Sequence, residues 1–226
     1  MIIKIMQFIS GIGFSVCHQL PERTLLFGKA LMPVCSRCSG IYTGFLFTII
    51  FLFLVFRKRE SGLPPIYIMI LAIVFMLSTM IDGALSYLGV YNTNNIIRLI
   101  TGYMFGAGIA IILYPIFIYQ YYRNFQREKI FYHYKYFIYF LIGSVLIIII
   151  QFLQPPALGK YFYFLNGIAV IFTFYFTNLT LFLLIPFFAQ KAIKLLSRYL
   201  IIPSIIALAA TGLELFIAYK LHILLS

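Results

Sequence analysis

Long apolar runs alternate with short polar connections along this chain. Each run is close to the ~20 residues that a helix needs to cross the hydrocarbon core of a bilayer. The runs lie at approximately 38–56, 65–82, 96–122, 136–153, 161–189 and 199–219. This pattern predicts an all-α fold, a polytopic transmembrane helix bundle of about six spans.

A shorter apolar segment precedes the first run. Only 12 residues separate Lys4 from Cys17, which is ~18 Å of helix against a hydrocarbon core of ~30 Å. We therefore expect a short interfacial or re-entrant helix at the N-terminus. Val16 is too large for the residue that precedes a lipoprotein cleavage site, so we expect this segment to be retained.

The composition agrees with a membrane protein. The chain is 63% hydrophobic and 10% charged, with a mean hydropathy of +1.03, far from the composition of soluble domains. A net charge of +12 would suggest nucleic-acid binding in a soluble protein. Here the basic residues lie in short clusters between apolar runs, so we expect contact with membrane lipid and none with nucleic acid.

The charges of the connections predict a topology. The connections after the first, third and fifth runs carry three, four and three Lys or Arg, and the other two carry none and one. Basic connections stay in the cytoplasm, which puts residues 17–38 on the extracytoplasmic side. Arg23, Lys29 and Arg37 in that segment weigh against this orientation.

The stretch "CHQLPERTLLFGKALMPVCSRCSG" holds all three cysteines of the chain. A C-x-x-C pair lets two sulfurs face one point, and an upstream pair completes a tetrahedral set of three thiolates and one imidazole. The predicted ligands are Cys17, His18, Cys35 and Cys38, with zinc as the metal. Because Cys17 and His18 are neighbours, only one of the two would usually point at a given centre.

Two other interpretations of the cysteines remain open. A Cys35–Cys38 disulfide beside Arg37, with Cys17 as its exchange partner, would make the protein a membrane thiol-disulfide oxidoreductase. Membrane thiol oxidases pass electrons to quinones, so a quinone belongs to this alternative only. The cysteines could also be small buried hydrophobic residues without chemistry.

Polar residues at the ends of the second and third runs form a further candidate site. Asp82 is the only Asp in the chain, and an acid at a membrane span is a functional candidate by default. Arg98 is its natural partner, Asn95 lies beside it, and Asn94 suits the N-cap of the third helix.

Glu214 lies within an apolar stretch and needs a partner or a water-filled cavity. On the predicted topology Glu214, Arg37 and the Asp82 group share one face. This polar cluster is a candidate site for a polar headgroup or a small anion, and Asp82 and Glu214 would serve a small-solute or ion transporter. In "TGYMFGAG", the spacing of Gly102 and Gly106 predicts close helix packing.

A family resemblance covers residues 17–115. The stretch from Cys17 to "CSRCSGIYTGF", followed by "IDG", "TNNIIRLITGYMFGAG" and "YP", resembles the prokaryotic membrane proteins of domain of unknown function 2085. The resemblance implies a prokaryotic cytoplasmic membrane and no particular activity. The positions it carries over are Cys17, His18, Gln19, Pro21, Arg23, Cys35, Arg37, Cys38, Gly40, Tyr42, Asp82, Gly83, Asn95, Arg98, Thr101 and Gly102.

Two positions depart from the family pattern: Thr24 replaces a Ser, and Ser86 or Tyr87 stands where a Gln is expected. Three regions follow: residues 1–37 with the N-terminal helix and the Cys/His segment, 38–122 with the three spans that resemble the family, and 123–226 with three further spans. We expect an integral membrane protein whose zinc centre fastens residues 17–38 onto the bundle. The sequence does not decide whether it is an enzyme.

Overall fold

A computed structural model describes residues 2–56, 60–89, 93–195 and 197–225, without the side chains of Ile2 and Tyr87. The basic triplet 57–59, which contributes to the predicted topology, lies outside the described residues. The seven α-helices are α1 (Ile2–Val16), α2 (Ser36–Val55), α3 (Ile66–Tyr87), α4 (Asn95–Tyr121), α5 (Tyr134–Leu153), α6 (Gly159–Leu183) and α7 (Ile201–Leu225).

Helices α2 to α7 are each long and apolar enough to cross a membrane, which confirms the six predicted spans. The shorter α1 has 15 residues. The all-α class is also confirmed, although four short strands lie between the helices: β1 (Thr24–Phe27), β2 (Ala30–Cys35), β3 (Glu60–Gly62) and β4 (Gln126–Lys129).

The β1–β2 hairpin is a feature that the apolar pattern does not reveal. Its strands pair antiparallel, with Phe27 opposite Ala30, so Gly28 and Lys29 form a two-residue turn. Gly28 has a φ of +62°, a backbone conformation that tight hairpin turns need and that glycine adopts without strain. The hairpin leads the chain from the 3₁₀ turn Pro21–Arg23 directly to the start of α2.

The fifth span ends earlier than its apolar run. The run was predicted to continue to residue 189, whereas α6 ends at Leu183. Pro186 explains the difference, because a proline lacks an N–H donor and disfavours helical backbone in the residue before it. The chain then folds back on the end of α4, where the Gln190 N–H donates to the Gln120 carbonyl over 2.6 Å.

Helices α2 and α4 pack along a seam of glycines. A Cβ added at Gly102 would overlap the carbonyl oxygen of Arg37, and one added at Gly106 would overlap that of Ile41. Gly40 approaches the backbone of Leu99 in the same way. The close packing predicted from the G-x-x-x-G spacing is therefore found between α4 and α2.

Aromatic side chains fill the centre of the bundle. The Phe53 ring of α2 meets the Tyr114 ring of α4 edge to face at 5.0 Å between centroids. Phe117 of α4 packs on Phe176 of α6 at 4.9 Å. Such ring pairs add to the burial of large apolar surfaces, so α2, α4 and α6 form the core of the molecule.

The N-terminal segment lies against the first half of α6. Helix α1 is tied to it by the Tyr163 hydroxyl, which donates to the Met6 carbonyl over 2.9 Å. Strand β2 follows the same helix, with Val34 and Val170 both fully buried in one apolar cluster. These contacts place the end of α1 and the end of β2 side by side.

Candidate metal centre

Three thiols meet where α1, β2 and α2 converge. Cys17 follows α1, Cys35 is the last residue of β2 and the N-cap of α2, and Cys38 lies in the first turn of α2. Their sulfur atoms all lie within 4.8 Å of one another. The strand-to-helix junction aims both C-x-x-C sulfurs at one point, and the turn after α1 supplies the third.

Hydrogen bonds hold the segments that carry the thiols. The Cys35 N–H donates to the Cys17 sulfur over 3.2 Å. The Gln19 amide nitrogen donates to the Ser10 carbonyl over 2.8 Å and to the Pro33 carbonyl over 2.7 Å. Gln19 has a φ of 51°, so the chain reverses there and ties α1 to β2.

The thiols differ in their pKa values. The hydrogen bond from the Cys17 thiol, followed by that from Cys38, places the pKa of Cys35 well below its usual range. Backbone N–H groups at the start of α2 act in the same direction. The hydrogen bond with Cys35 raises the pKa of Cys17, and burial raises it further. The lowered pKa favours the thiolate form of Cys35, which is the form that binds metals.

An apolar shell surrounds the sulfurs. Ile12 of α1, Val34 of β2 and Val170 of α6 pack in one buried cluster with Cys17, which is only 6% exposed. Tyr42, one turn after Cys38, also packs against this cluster. Such a shell excludes water and strengthens electrostatic interactions inside it.

His18 lies apart from the thiols. Its ring packs edge to face against His222 of α7, with 4.2 Å between centroids. The His222 Nδ1 atom lies 2.6 Å from the Phe14 carbonyl oxygen. Of the four predicted ligands, the structure brings together the three cysteines. The contact with the His222 ring holds His18 on the side of α7.

Asp82 forms its ion pair with Arg37, not with the Arg98 that the sequence suggested. The Arg37 guanidinium contacts the Asp82 carboxylate through Nε, at 3.1 Å, and through Nη2. The Thr93 hydroxyl donates to the other carboxylate oxygen over 3.0 Å.

The other predicted polar residues have local partners. Arg98 is buried and donates to the Ser86 hydroxyl over 3.2 Å, so a hydroxyl serves near the position where the family pattern has an amide. Asn95 donates to the Glu22 carbonyl over 3.1 Å. Asn94 caps α4 by accepting from the Ile97 N–H over 2.8 Å, as predicted.

Glu214 lies among residues of α6 and α7, away from the predicted polar cluster. It lies exposed on α7, where its carboxylate accepts a hydrogen bond from the Asn178 amide of α6 over 2.8 Å. The same amide donates to the Thr211 hydroxyl over 3.1 Å. The structure therefore places Glu214 with these residues of α6 and α7, and not with Arg37 or Arg98.

A buried amide network beside the cysteines was missed. Gln151 of α5 is fully buried, accepts from the Ser39 hydroxyl over 3.0 Å and donates to the Thr43 hydroxyl over 3.1 Å. The sequence signal was a single amide in the apolar stretch "IIIIQFL". A buried amide needs such partners, so Gln151 fixes the end of α5 next to the first turns of α2.

Fold and site together define a polytopic membrane protein with a cluster of three thiols at the start of its first long helix. Residues 17–112 match the profile of a family described as "Predicted membrane protein (DUF2085)". This range contains the three thiols and the Arg37–Asp82 pair. The chain belongs to this family.

Two archaeal relatives each match a little under half of the chain. An uncharacterised protein of Methanothermobacter thermautotrophicus is 36% identical over 97 residues, 43% of this chain and 83% of that relative. The uncharacterised protein MJ1492 of Methanocaldococcus jannaschii is 32% identical over 111 residues, 49% of this chain and 69% of that relative. No solved structure matches the chain.

Proposed function

We propose that Cys17, Cys35 and Cys38 bind a zinc ion, which fastens residues 17–38 onto the helix bundle. The observation that carries this proposal is the meeting of all three cysteines of the chain within 4.8 Å. They come from segments up to 21 residues apart in sequence, so chance neighbours in one helix do not explain the cluster.

The donor set suits this metal. Zinc–thiolate bonds of ~2.3 Å in tetrahedral geometry place sulfurs about 3.8 Å apart, which small side-chain rotations provide here. The proposal leaves His18 against His222, so the three thiolates are the ligands that the described residues would supply. Zinc bound to three thiolates and buried among apolar groups would add its binding free energy to the stability of the segment.

We also propose that this centre lies on the extracytoplasmic side of a prokaryotic cytoplasmic membrane. The segments after α2 and α4 meet at one end of the bundle, because Glu60–Gly62 pairs with Gln126–Lys129. Four basic residues lie between the third and fourth apolar runs at that end, and basic connections favour the cytoplasm. A reporter fused after Lys129 should read cytoplasmic and one fused after Gly89 external; the opposite readings would invert the assignment.

Metal analysis of the purified protein tests the zinc proposal. The wild type should carry about one zinc per chain, and Cys35→Ser should lose it and melt at a lower temperature. Ser15→Ala is the matched control, because Ser15 is buried near the site and bonds only the Ile12 carbonyl. His18→Ala should keep the metal; loss of zinc in that variant would restore His18 as a ligand.

Thiol counting separates zinc binding from the redox alternative. A protein with zinc should release three reactive thiols per chain after chelation. A protein without zinc and with one reactive thiol would hold a disulfide, which would overturn the metal proposal in favour of a thiol-disulfide oxidoreductase. Quinone binding by that protein would then identify its electron acceptor class.

A further inference from the structure

Three arginines gather beside the thiol cluster. Arg23 ends the 3₁₀ turn before β1, Arg37 lies in the first turn of α2, and Arg98 lies in the first turn of α4. The Ser36 hydroxyl donates to the Arg23 carbonyl over 3.0 Å, and the Asn95 amide donates to the Glu22 carbonyl over 3.1 Å, so the three segments meet. Three guanidinium groups from separate segments therefore share one small region of the structure.

Two acids lie in this region against three arginines, so they compensate the positive charges only in part. Asp82 is engaged by Arg37, and Glu22 reaches only Arg23, at 4.0 Å with both side chains largely exposed. Arg98 is 5% exposed and donates to an uncharged hydroxyl. Its Nε atom is buried without a hydrogen-bond partner among the described residues. A buried guanidinium in this state is costly unless an anion joins it.

The helix ends add to the positive potential. Helix α2 begins at Ser36 and α4 at Asn95, and their contacts run in the same direction, from Arg37 beside Gly102 to Ile41 beside Gly106. The N-terminal ends of both helices thus lie at the arginine end, where the helix dipoles stabilise anions.

The three arginines differ in their exposure to solvent. The side chains of Arg23 and Arg37 are 44% and 23% exposed, and Arg98 as a whole residue is 5% exposed. A ligand that approaches from solvent or from the headgroup layer meets Arg23 first and Arg98 last. An anion at the surface would therefore contact Arg23 before it contacts the buried Arg98.

We infer that Arg23, Arg37 and Arg98 bind a phosphate group, either of a lipid headgroup or of a free phosphate. Guanidinium forks match phosphate oxygens in pairs, and a phosphate offers more charge than a single carboxylate to three arginines. Nearby Cys35 also attracts Arg98, but its thiolate belongs to the proposed metal centre. The phosphate site is separate from that centre and does not require it.

Thermal unfolding of delipidated protein in neutral detergent tests the site. Inorganic phosphate should raise the melting temperature of the wild type above that in chloride at equal ionic strength. Arg98→Gln should weaken the apparent affinity about tenfold or more, since it loses a charge-assisted contact. Arg127→Gln, an exposed arginine of β4, is the matched control and should behave as the wild type.

A second variant covers the case in which Arg98→Gln does not fold. Arg23→Gln changes a side chain at the surface and should fold, with about threefold weaker phosphate binding. Zinc content measured on the same samples should not change in either variant. Absence of zinc from the wild type with phosphate binding intact would count against the metal proposal alone.

Lipid nanodiscs distinguish the two sources of phosphate. Stabilisation by phosphatidylglycerol over phosphatidylcholine that Arg98→Gln removes identifies a headgroup ligand. Stabilisation by inorganic phosphate without this lipid preference identifies a free phosphate. No stabilisation of the wild type by either ligand, or equal stabilisation of both folded variants, would overturn the inference.

Discussion

Helices α2 and α4 differ sharply from α5 and α7 in how they are held. In their most apolar stretches 44% and 50% of the residues of α2 and α4 are buried, against 17% in α5 and in α7. All four have the hydropathy of membrane spans, so hydropathy does not distinguish them. Helices α2 and α4 are more buried because Gly40, Gly102 and Gly106 let their two backbones approach closely, as small residues do between membrane helices.

The region matched by the family is not simply the buried part of the molecule. Helix α3 lies within the matched residues and is 22% buried, whereas α6 lies outside and is 44% buried. The matched region instead contains the glycine seam, the thiols and the arginine cluster. Helix α6 packs against the thiols through Val170, which lies in the same buried apolar cluster as Cys17.

The largest expected effect is at the glycine seam. Gly106→Leu would force a side chain into the backbone of α2 at Ile41, so we expect a loss of about 3 kcal/mol or more, or failure to fold. Gly212→Leu in α7 is the matched control, because nothing lies within 4 Å of the added Cβ. Thermal unfolding in detergent measures both.

Equal stability of Gly106→Leu and Gly212→Leu would contradict the proposed difference between the α2–α4 seam and α7. It would mean that the seam adapts as easily as a surface that faces lipid. The control is expected to change the free energy of unfolding by no more than about 0.5 kcal/mol.

The second effect concerns the Arg37–Asp82 pair. Asp82 is 4% exposed, so Arg37→Ala and Asp82→Ala should each cost about 3 kcal/mol by leaving a buried charge alone. The double variant should cost clearly less than the sum. Urea unfolding of the four proteins gives the coupling free energy.

The same cycle with Arg98 tests the specificity of this pair. Arg98→Ala combined with Asp82→Ala should be closer to additive, because Arg98 bonds Ser86 rather than the carboxylate. A stronger coupling of Asp82 to Arg98 than to Arg37 would restore the partner suggested by the sequence.

The six spans could be predicted from the sequence because length and hydropathy alone define a membrane helix. The N-cap Asn94 and the packing role of Gly102 could also be predicted, since both follow from local chemistry. The ion-pair partner of Asp82 could not be predicted in this way. Arg98 is the nearest arginine along the chain beyond Asp82, whereas Arg37 is brought in by the packing of α2 against its neighbours.

The candidate site was predictable in its sulfurs and less so in its surroundings. The sequence predicted Cys17, Cys35 and Cys38 as members of one centre, and in the structure their sulfur atoms lie within 4.8 Å of one another. The hairpin that positions Cys35 escaped notice because "TLLFGKALMPVC" is mostly apolar and its turn consists of only Gly28 and Lys29. Tertiary contacts, not local pattern, decide which way His18 faces.

The third effect tests how α5 is attached. Gln151→Leu removes the amide that joins α5 to the Ser39 and Thr43 hydroxyls, and it should cost about 2 kcal/mol because buried hydroxyls lose partners. Ile149→Leu, an exposed change in the same helix, is the control. Adding Ser39→Ala to Gln151→Leu should recover part of the loss; no recovery would mean that Gln151 acts through packing alone.

The smallest effect is expected at Glu214, where α7 meets α6. Glu214→Gln keeps an oxygen that accepts from Asn178, so stability should change by no more than about 0.5 kcal/mol. Glu214→Leu should cost about 1 kcal/mol, because the Asn178 amide then loses that acceptor and retains Thr211. Proton-coupled flux in vesicles gives the second measurement. A carboxylate that only holds two helices together tolerates the amide, whereas one that carries protons does not. If Glu214→Gln kept normal stability but lost the flux, the contact between α6 and α7 would be a transport site. Helix α7 would then differ from the α2–α4 seam in function as well as in packing.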